Sequence, residues 1–278
     1  NKHNWEKTSF ASNQYFRHHL FENDVYGRIS NEESLKNIHH SDVLGFYQQH
    51  WKGQTPTIIL SGKISEKELK MLDQTIGQIT LEQKSSLNKQ TLQTGNARKF
   101  YQEKENALQT SIRFGCLGIT RNNPDYFKFS FMNTVLGGYF GSRLQKNIRE
   151  DKGFTYGISS SLAPYPRGGY WVVGTDVNGE NVDATLAEIK KEIALLQQEL
   201  IPQEELEIVQ NYLMGSFTGE LTQAFDIAEK VRVIQLNGLS PDFYDQFQDQ
   251  ILEIQAQDVR DMATKYLNLD LMHEVIVG

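Results

Sequence analysis

Residues 41–62, SDVLGFYQQHWKGQTPTIILSG, and residues 257–278, QDVRDMATKYLNLDLMHEVIVG, align without a gap. Their numbers differ by 216 throughout: Asp42 and Val43 fall on Asp258 and Val259, Trp51 on Leu267, Ile59 on Val275 and Gly62 on Gly278. The same shift carries Leu20 onto Leu236, Leu35 onto Ile251 and Ile38 onto Ile254. A gapless run with one apolar pattern reads as a duplicated domain. Each copy ends in the order helix, helix, strand, glycine. The second copy begins near residue 100, and shifting that start back by 216 lands upstream of residue 1. The first copy is therefore expected to be incomplete and the chain a fragment. The division is residues 1–80 for the end of the first copy, 81–99 for a linker and 100–278 for a complete second copy. The linker, LEQKSSLNKQTLQTGNARK, is rich in Gln, Ser, Asn and Lys and has little periodicity.

The second copy announces its elements clearly. Val182, Leu186, Ile189, Ile193, Leu196 and Leu200 recur at spacings of four and three, which predicts a helix with one apolar stripe. Pro202, Glu204 and Glu205 open the next one, where proline and negative charge suit a helix start. EELEIVQNYLMGSF and FDIAEKVRVIQL read as further helices, the latter closed by Asn237 and Gly238. SDVLGFYQQHW, with Ser41 as its cap, and QDVRDMATKYL are helical as well. Strands are expected in TIILSG, SIRFGCLGI, TYGISSSLA, GYWVVGTDV and HEVIVG. The third and fourth flank the turn-rich PYPRG and form a hairpin.

Composition narrows the function. In 278 residues, 38% apolar and 23% charged content describe an ordinary globular protein of about two domains. A net charge of −7 argues against a nucleic-acid surface, which needs a basic stripe. The lone Cys116 rules out an internal disulfide and a thiolate zinc cluster, and its strand-like setting reads as a buried, inert thiol. No apolar run approaches the ~20 residues of a membrane span. No signal peptide is visible, although residue 1 is not methionine. No compartment is assigned; a cytoplasmic one is the default.

The chemistry concentrates in LGGYFGSRLQKNIREDKGFTYGISSS, residues 136–161. A helix starting near Ser142 would end at Arg149, Gly153 would break it, and Tyr156 would begin the next strand. Such a junction can aim a guanidinium and a phenol into one space. Both donate hydrogen bonds to an oxygen that gains negative charge, a contribution of about 2 to 4 kcal/mol per donor. Neither is a nucleophile or a base at neutral pH. Spacing alone leaves open that Arg149 pairs with an acid and Tyr156 packs. The glycines lack the lysine and hydroxyl of a phosphate-binding loop, and no serine has arranged His and Asp partners. The seven histidines include no His-x-x-x-His pair, HExxH or HxxEH. His18 and Glu22 in HHLFE are at most two ligands on one helix, and a surface or packing role is expected for them.

Gly137, Gly138, Ser142, Arg143, Leu144, Arg149, Glu150, Gly153 and Tyr156 stand in the order found in the C-terminal domain of the pitrilysin and insulinase zinc peptidases (the inverzincins), which include mitochondrial processing peptidase. VYGRISNEESLKNIHHSDVLGFYQQHW followed by TIILSGKI resembles the end of that family's N-terminal domain. Tyr139 departs from the pattern, since many relatives carry a third glycine there. The resemblance implies an α+β fold of duplicated domains, each a mostly antiparallel sheet packed with helices on one face. It implies that Arg149 and Tyr156 are catalytic and grip the substrate carbonyl, with Gly137, Gly138, Ser142 and Arg143 as substrate-binding positions. It implies a zinc ion held by an HxxEH half that this sequence lacks, so this chain would bind no metal and be inactive alone. The partners implied are a peptide or unfolded polypeptide substrate and a zinc-bearing half or subunit, in a homo- or heterodimer. The alternative is a non-catalytic subunit or scaffold of a heterodimeric peptidase.

Overall fold

The computed structural model describes residues 2–22, 24–51, 56–78, 92, 95–96 and 98–278. Its helices are α1 (Lys2–Trp5), α2 (Thr8–Phe21), α3 (Glu32–Lys36), α4 (His40–Phe46), α5 (Glu66–Thr75), α6 (Tyr126–Asn133) and α7 (Val182–Gln198). They continue as α8 (Gln203–Glu220), α9 (Ala224–Asn237), α10 (Asp245–Glu253) and α11 (Ala256–Tyr266). The strands are β1 (Lys99–Gln102), β2 (Thr110–Leu117), β3 (Thr155–Ala163), β4 (Tyr170–Val177) and β5 (His273–Val277). The chain divides into two compact units. One comprises Asn1–Ile29, Thr91–Gly215 and Leu239–Gly278; the other comprises Ser30–Gln90 and Ser216–Gly238.

The first unit is a mixed α+β structure around a five-stranded sheet of order β1-β5-β2-β4-β3. Only β1 and β5 run parallel; β5–β2, β2–β4 and β4–β3 are antiparallel. Side chains alternate across a pleated sheet, so each strand serves two layers. On one face Ile112, Phe114 and Cys116 of β2, Ile158 of β3 and Trp171, Val173 and Val177 of β4 enter the main core. Helices α6, α7, α8, α10 and α11 close it, with Ile189, Ile193 and Leu196 of α7 fully buried. Leu200 lies past the end of α7 and is exposed. Burial pushes the Cys116 thiol up to about 12, which leaves it unreactive.

The helices expected on one face are there, and α2 adds a second layer opposite them. Ala11, Phe16, Leu20 and Phe21 of α2 pack on Val172, Val275 and Val277. This explains the near-continuous apolar reading of β4: both of its faces are covered. A buried Arg113 ties the layer down through Asn13 Oδ1 (2.8 Å) and the Ser9 carbonyl (3.3 Å).

In the second unit α3, α4, α5 and α9 bury none of their residues. Two expectations change here. Residues 56–61 carry no strand, so TIILSG forms no ladder. A strand exists through its neighbours' hydrogen bonds, and the described residues of this unit offer no neighbour. The cap of α4 is His39 rather than Ser41, with the His39 N–H donating to the Asp42 carboxylate (2.8 Å). The segment 81–99 lies mostly outside the described residues; its last residue, Lys99, opens β1. Among the described residues no helix is long and apolar enough to cross a membrane.

Candidate active site

The Arg149 helix follows from a polar network under the sheet. Buried Asn133 at the end of α6 accepts the Trp171 indole N–H (2.7 Å), and its own carbonyl accepts the Ser160 hydroxyl (3.2 Å). The chain passes through Thr134–Gly138, where a Cβ on Gly137 would lie 2.6 Å from the Ser160 nitrogen. Only glycine lets the backbone approach β3 so closely. Arg143 and Leu144 start a new helical turn, which widens to π geometry over Gln145–Asp151.

This short helix is held on three sides. Arg143 makes a bidentate pair with Glu205 of α8 (2.8 and 2.7 Å), and that carboxylate raises the Arg143 pKa. Gln145 donates to the Ile158 carbonyl of β3 (2.7 Å). Asn147 donates to Glu188 (2.9 Å) and Glu192 (2.7 Å) of α7. Gly153, at φ +67°, then turns the chain in the left-handed region that favours glycine.

Strand β3 is the free edge of the sheet and opens with a bulge. Thr155 pairs with Val177, but Ile158 pairs with Thr175, so β3 carries one residue more than β4 between those pairs. The Thr155 hydroxyl accepts from Thr175 (2.9 Å) and donates to the Asp176 carbonyl (2.8 Å); Thr175 also reaches the Gly157 carbonyl (3.0 Å). Bulges re-aim side chains at sheet edges. The residue re-aimed here is Tyr156, which is 93% exposed. The Nε of Arg149 donates to the Tyr156 carbonyl (3.0 Å). Glu150 stands 3.8 Å from Nη1, and the Arg149 side chain is about one-third exposed, 31%. The guanidinium lies over the Phe140 ring, 4.4 Å from its centroid.

Arg149 and Tyr156 are thus neighbours at an open edge. The other positions from the sequence face elsewhere. Gly137 is buried against β3, Ser142 is buried with an unpartnered hydroxyl, and Arg143 is committed to Glu205. Gly138 is exposed. Tyr139, in place of a glycine, stacks on Tyr212 of α8 at 4.9 Å. The clasp of Thr155 and Thr175 and the ring of Phe140 gave no signal in the sequence, because each depends on a partner fixed by register or packing.

Histidine chemistry lies elsewhere. His18 Nδ1 meets the Gly27 carbonyl (2.9 Å), and Glu22 pairs with Arg98 (2.8 Å). Among the described residues no group of three His, Cys, Asp or Glu could hold a metal ion.

Residues 37–213 match the family model described as "Peptidase M16 inactive domain", and the chain belongs to that family. It is 24% identical over 207 residues to the uncharacterized zinc protease YmxG of Bacillus subtilis (strain 168), covering 72% of this chain and 50% of that protein. It therefore spans about half the length of this curated relative. Among solved structures, a peptidase M16 inactive domain from Pseudomonas fluorescens shares the fold at a TM-score of 0.85 and 23% identity, covering all of this chain and 67% of that one. A protease from Helicobacter pylori does so at 0.88 and 15% identity, covering all of this chain and 69% of that one.

Proposed function

We propose that this chain supplies the substrate-gripping half of a two-part peptidase site, opposite a zinc-bearing half that acts on peptides or unfolded segments. The observation that carries this reading is the pairing of Arg149 and Tyr156 at an open sheet edge. The Arg149 guanidinium is held by a backbone carbonyl, and the Tyr156 side chain is exposed among the described residues. As the substrate carbonyl becomes tetrahedral, both groups donate to the oxygen that gains charge. The free edge of β3 can accept an extended peptide through backbone hydrogen bonds. A groove of about 270 Å³ beside it, lined by Arg113, Gly157, Ser159, Ser161 and Gly174, offers room for substrate side chains. In this reading Gly137, Gly138, Ser142 and Arg143 shape and brace the Arg149 turn. Zinc belongs to the other half, whether upstream sequence or a partner subunit, and no step assigned here passes through it.

The test is Arg149→Ala and Tyr156→Phe in the zinc-bearing protein. Turnover falls about 100-fold in each while zinc content stays level. Unchanged kcat/KM in both would favour the second reading, a non-catalytic subunit or scaffold. That reading draws on the family description, which names the domain inactive.

A further inference from the structure

Arginine is a poor oxyanion donor unless its plane is fixed, because its long side chain carries about 2 kcal/mol of rotamer entropy. In this structure three contacts surround Arg149: the Tyr156 carbonyl, the Glu150 carboxylate and the Phe140 ring. The Nε bond to the Tyr156 carbonyl fixes one donor of the guanidinium. The Phe140 ring, its centroid 4.4 Å from the guanidinium carbon, is the contact on which the charged group rests. The edge carrying Nη1 and Nη2, with Glu150 3.8 Å from Nη1, is the side that would meet a substrate oxygen.

Phe140 is 65% exposed, so burial does not explain its place. Its neighbour does. Tyr139 is extended (φ −147°, ψ 170°) and stacks inward on Tyr212, which anchors the loop from which Phe140 reaches Arg149. The tyrosine that departs from the glycine-rich pattern thus braces the residue that orients the arginine.

We infer that Phe140 is a positioning residue for Arg149, holding its guanidinium in the place that the reaction uses. The inference rests on the proposed function. It is tested in the zinc-bearing protein with Phe140→Ala, Phe140→Leu and Phe140→Trp, beside Arg149→Ala as reference. Cation–π contact needs the ring, not merely bulk. Phe140→Ala and Phe140→Leu are expected to lower kcat about 5- to 10-fold with KM nearly unchanged, and Phe140→Trp to restore it. A second readout needs no activity. On this chain, the Arg149 Nε–H proton is held by the Tyr156 carbonyl, and its exchange with water by NMR should quicken in Phe140→Ala and Phe140→Leu and recover in Phe140→Trp. A wild-type kcat in Phe140→Ala, with Arg149→Ala damaging, overturns the inference and leaves the proposed function standing. An equal loss in all three Phe140 variants overturns it too, since the ring would then not be what matters. A silent Arg149→Ala overturns the proposed function and this inference with it.

Discussion

Ile38 and Ile254 are the same residue at equivalent places in the two copies, yet Ile38 is 54% exposed and Ile254 is 1% exposed. The contrast runs along the whole pair of segments. Leu35, Val43, Phe46 and Trp51 are exposed, whereas Ile251, Val259, Met262 and Leu267, each 216 residues later, are buried. Between α2 and α9, which span the same positions after that shift, the contrast reverses. Leu20 on α2 is buried under the sheet, and Leu236 on α9 is exposed. The first-copy helix α2 packs in the unit that holds the second copy's sheet, while the second-copy helix α9 groups with first-copy residues. An apolar face is written into both copies, but burial needs a surface to receive it. Within the first unit the five-stranded sheet provides that surface.

Matched substitutions would break or sharpen this contrast. The largest effect is expected for Ile254→Ala and Leu20→Ala, each costing about 2 to 5 kcal/mol in urea unfolding. Their equivalents Ile38→Ala and Leu236→Ala should stay within about 0.5 kcal/mol. Equal costs within either pair would show that the two environments are alike.

A smaller effect separates the ion pairs. Glu205→Gln removes one charge from the half-buried bidentate pair with Arg143 and should cost about 1 to 3 kcal/mol. Glu32→Gln, in the exposed pair with Lys36, should cost under about 0.5 kcal/mol. Thermal midpoints of the two variants decide it.

The smallest effect is one of pH. Burial lowers the pKa values of His19 on α2 and His273 on β5, helped at His19 by His18 and Arg98 and at His273 by His19 and Arg98. A lowered histidine pKa means that the unfolded chain takes up the proton first. Stability from this contact is complete above the unfolded value near 6.5 and falls as pH drops below it. The first unit should therefore lose resistance to urea between about pH 7 and about pH 5.5, and His19→Gln should flatten the slope. Helix α9 carries no histidine, so hydrogen exchange along it should not follow the same trend.

Much of the fold was legible in advance. The α7 stripe and the β3–β4 hairpin depend on local periodicity, which a chain cannot hide. The strand expected at residues 57–62 failed for the opposite reason: TIILSG has the right composition, but a ladder requires a second strand. Helix α2 could be anticipated as a helix, whereas its place across the sheet from α7 and α11 could not. At the candidate site, Arg149 and Tyr156 stood out by their spacing around Gly153 and by the family pattern. Phe140, Thr155 and Thr175 did not, since an aromatic next to a glycine and two threonines in strands are unremarkable until they meet.

By itself, then, the sequence determined the periodic elements and which residues carry groups able to donate to an oxyanion, because these follow from spacing and side-chain chemistry. Only the tertiary structure decided which apolar faces are buried, that a bulge turns Tyr156 outward, and that a phenylalanine ring meets the arginine. Those outcomes depend on contacts between residues far apart in the chain, and no local pattern encodes them.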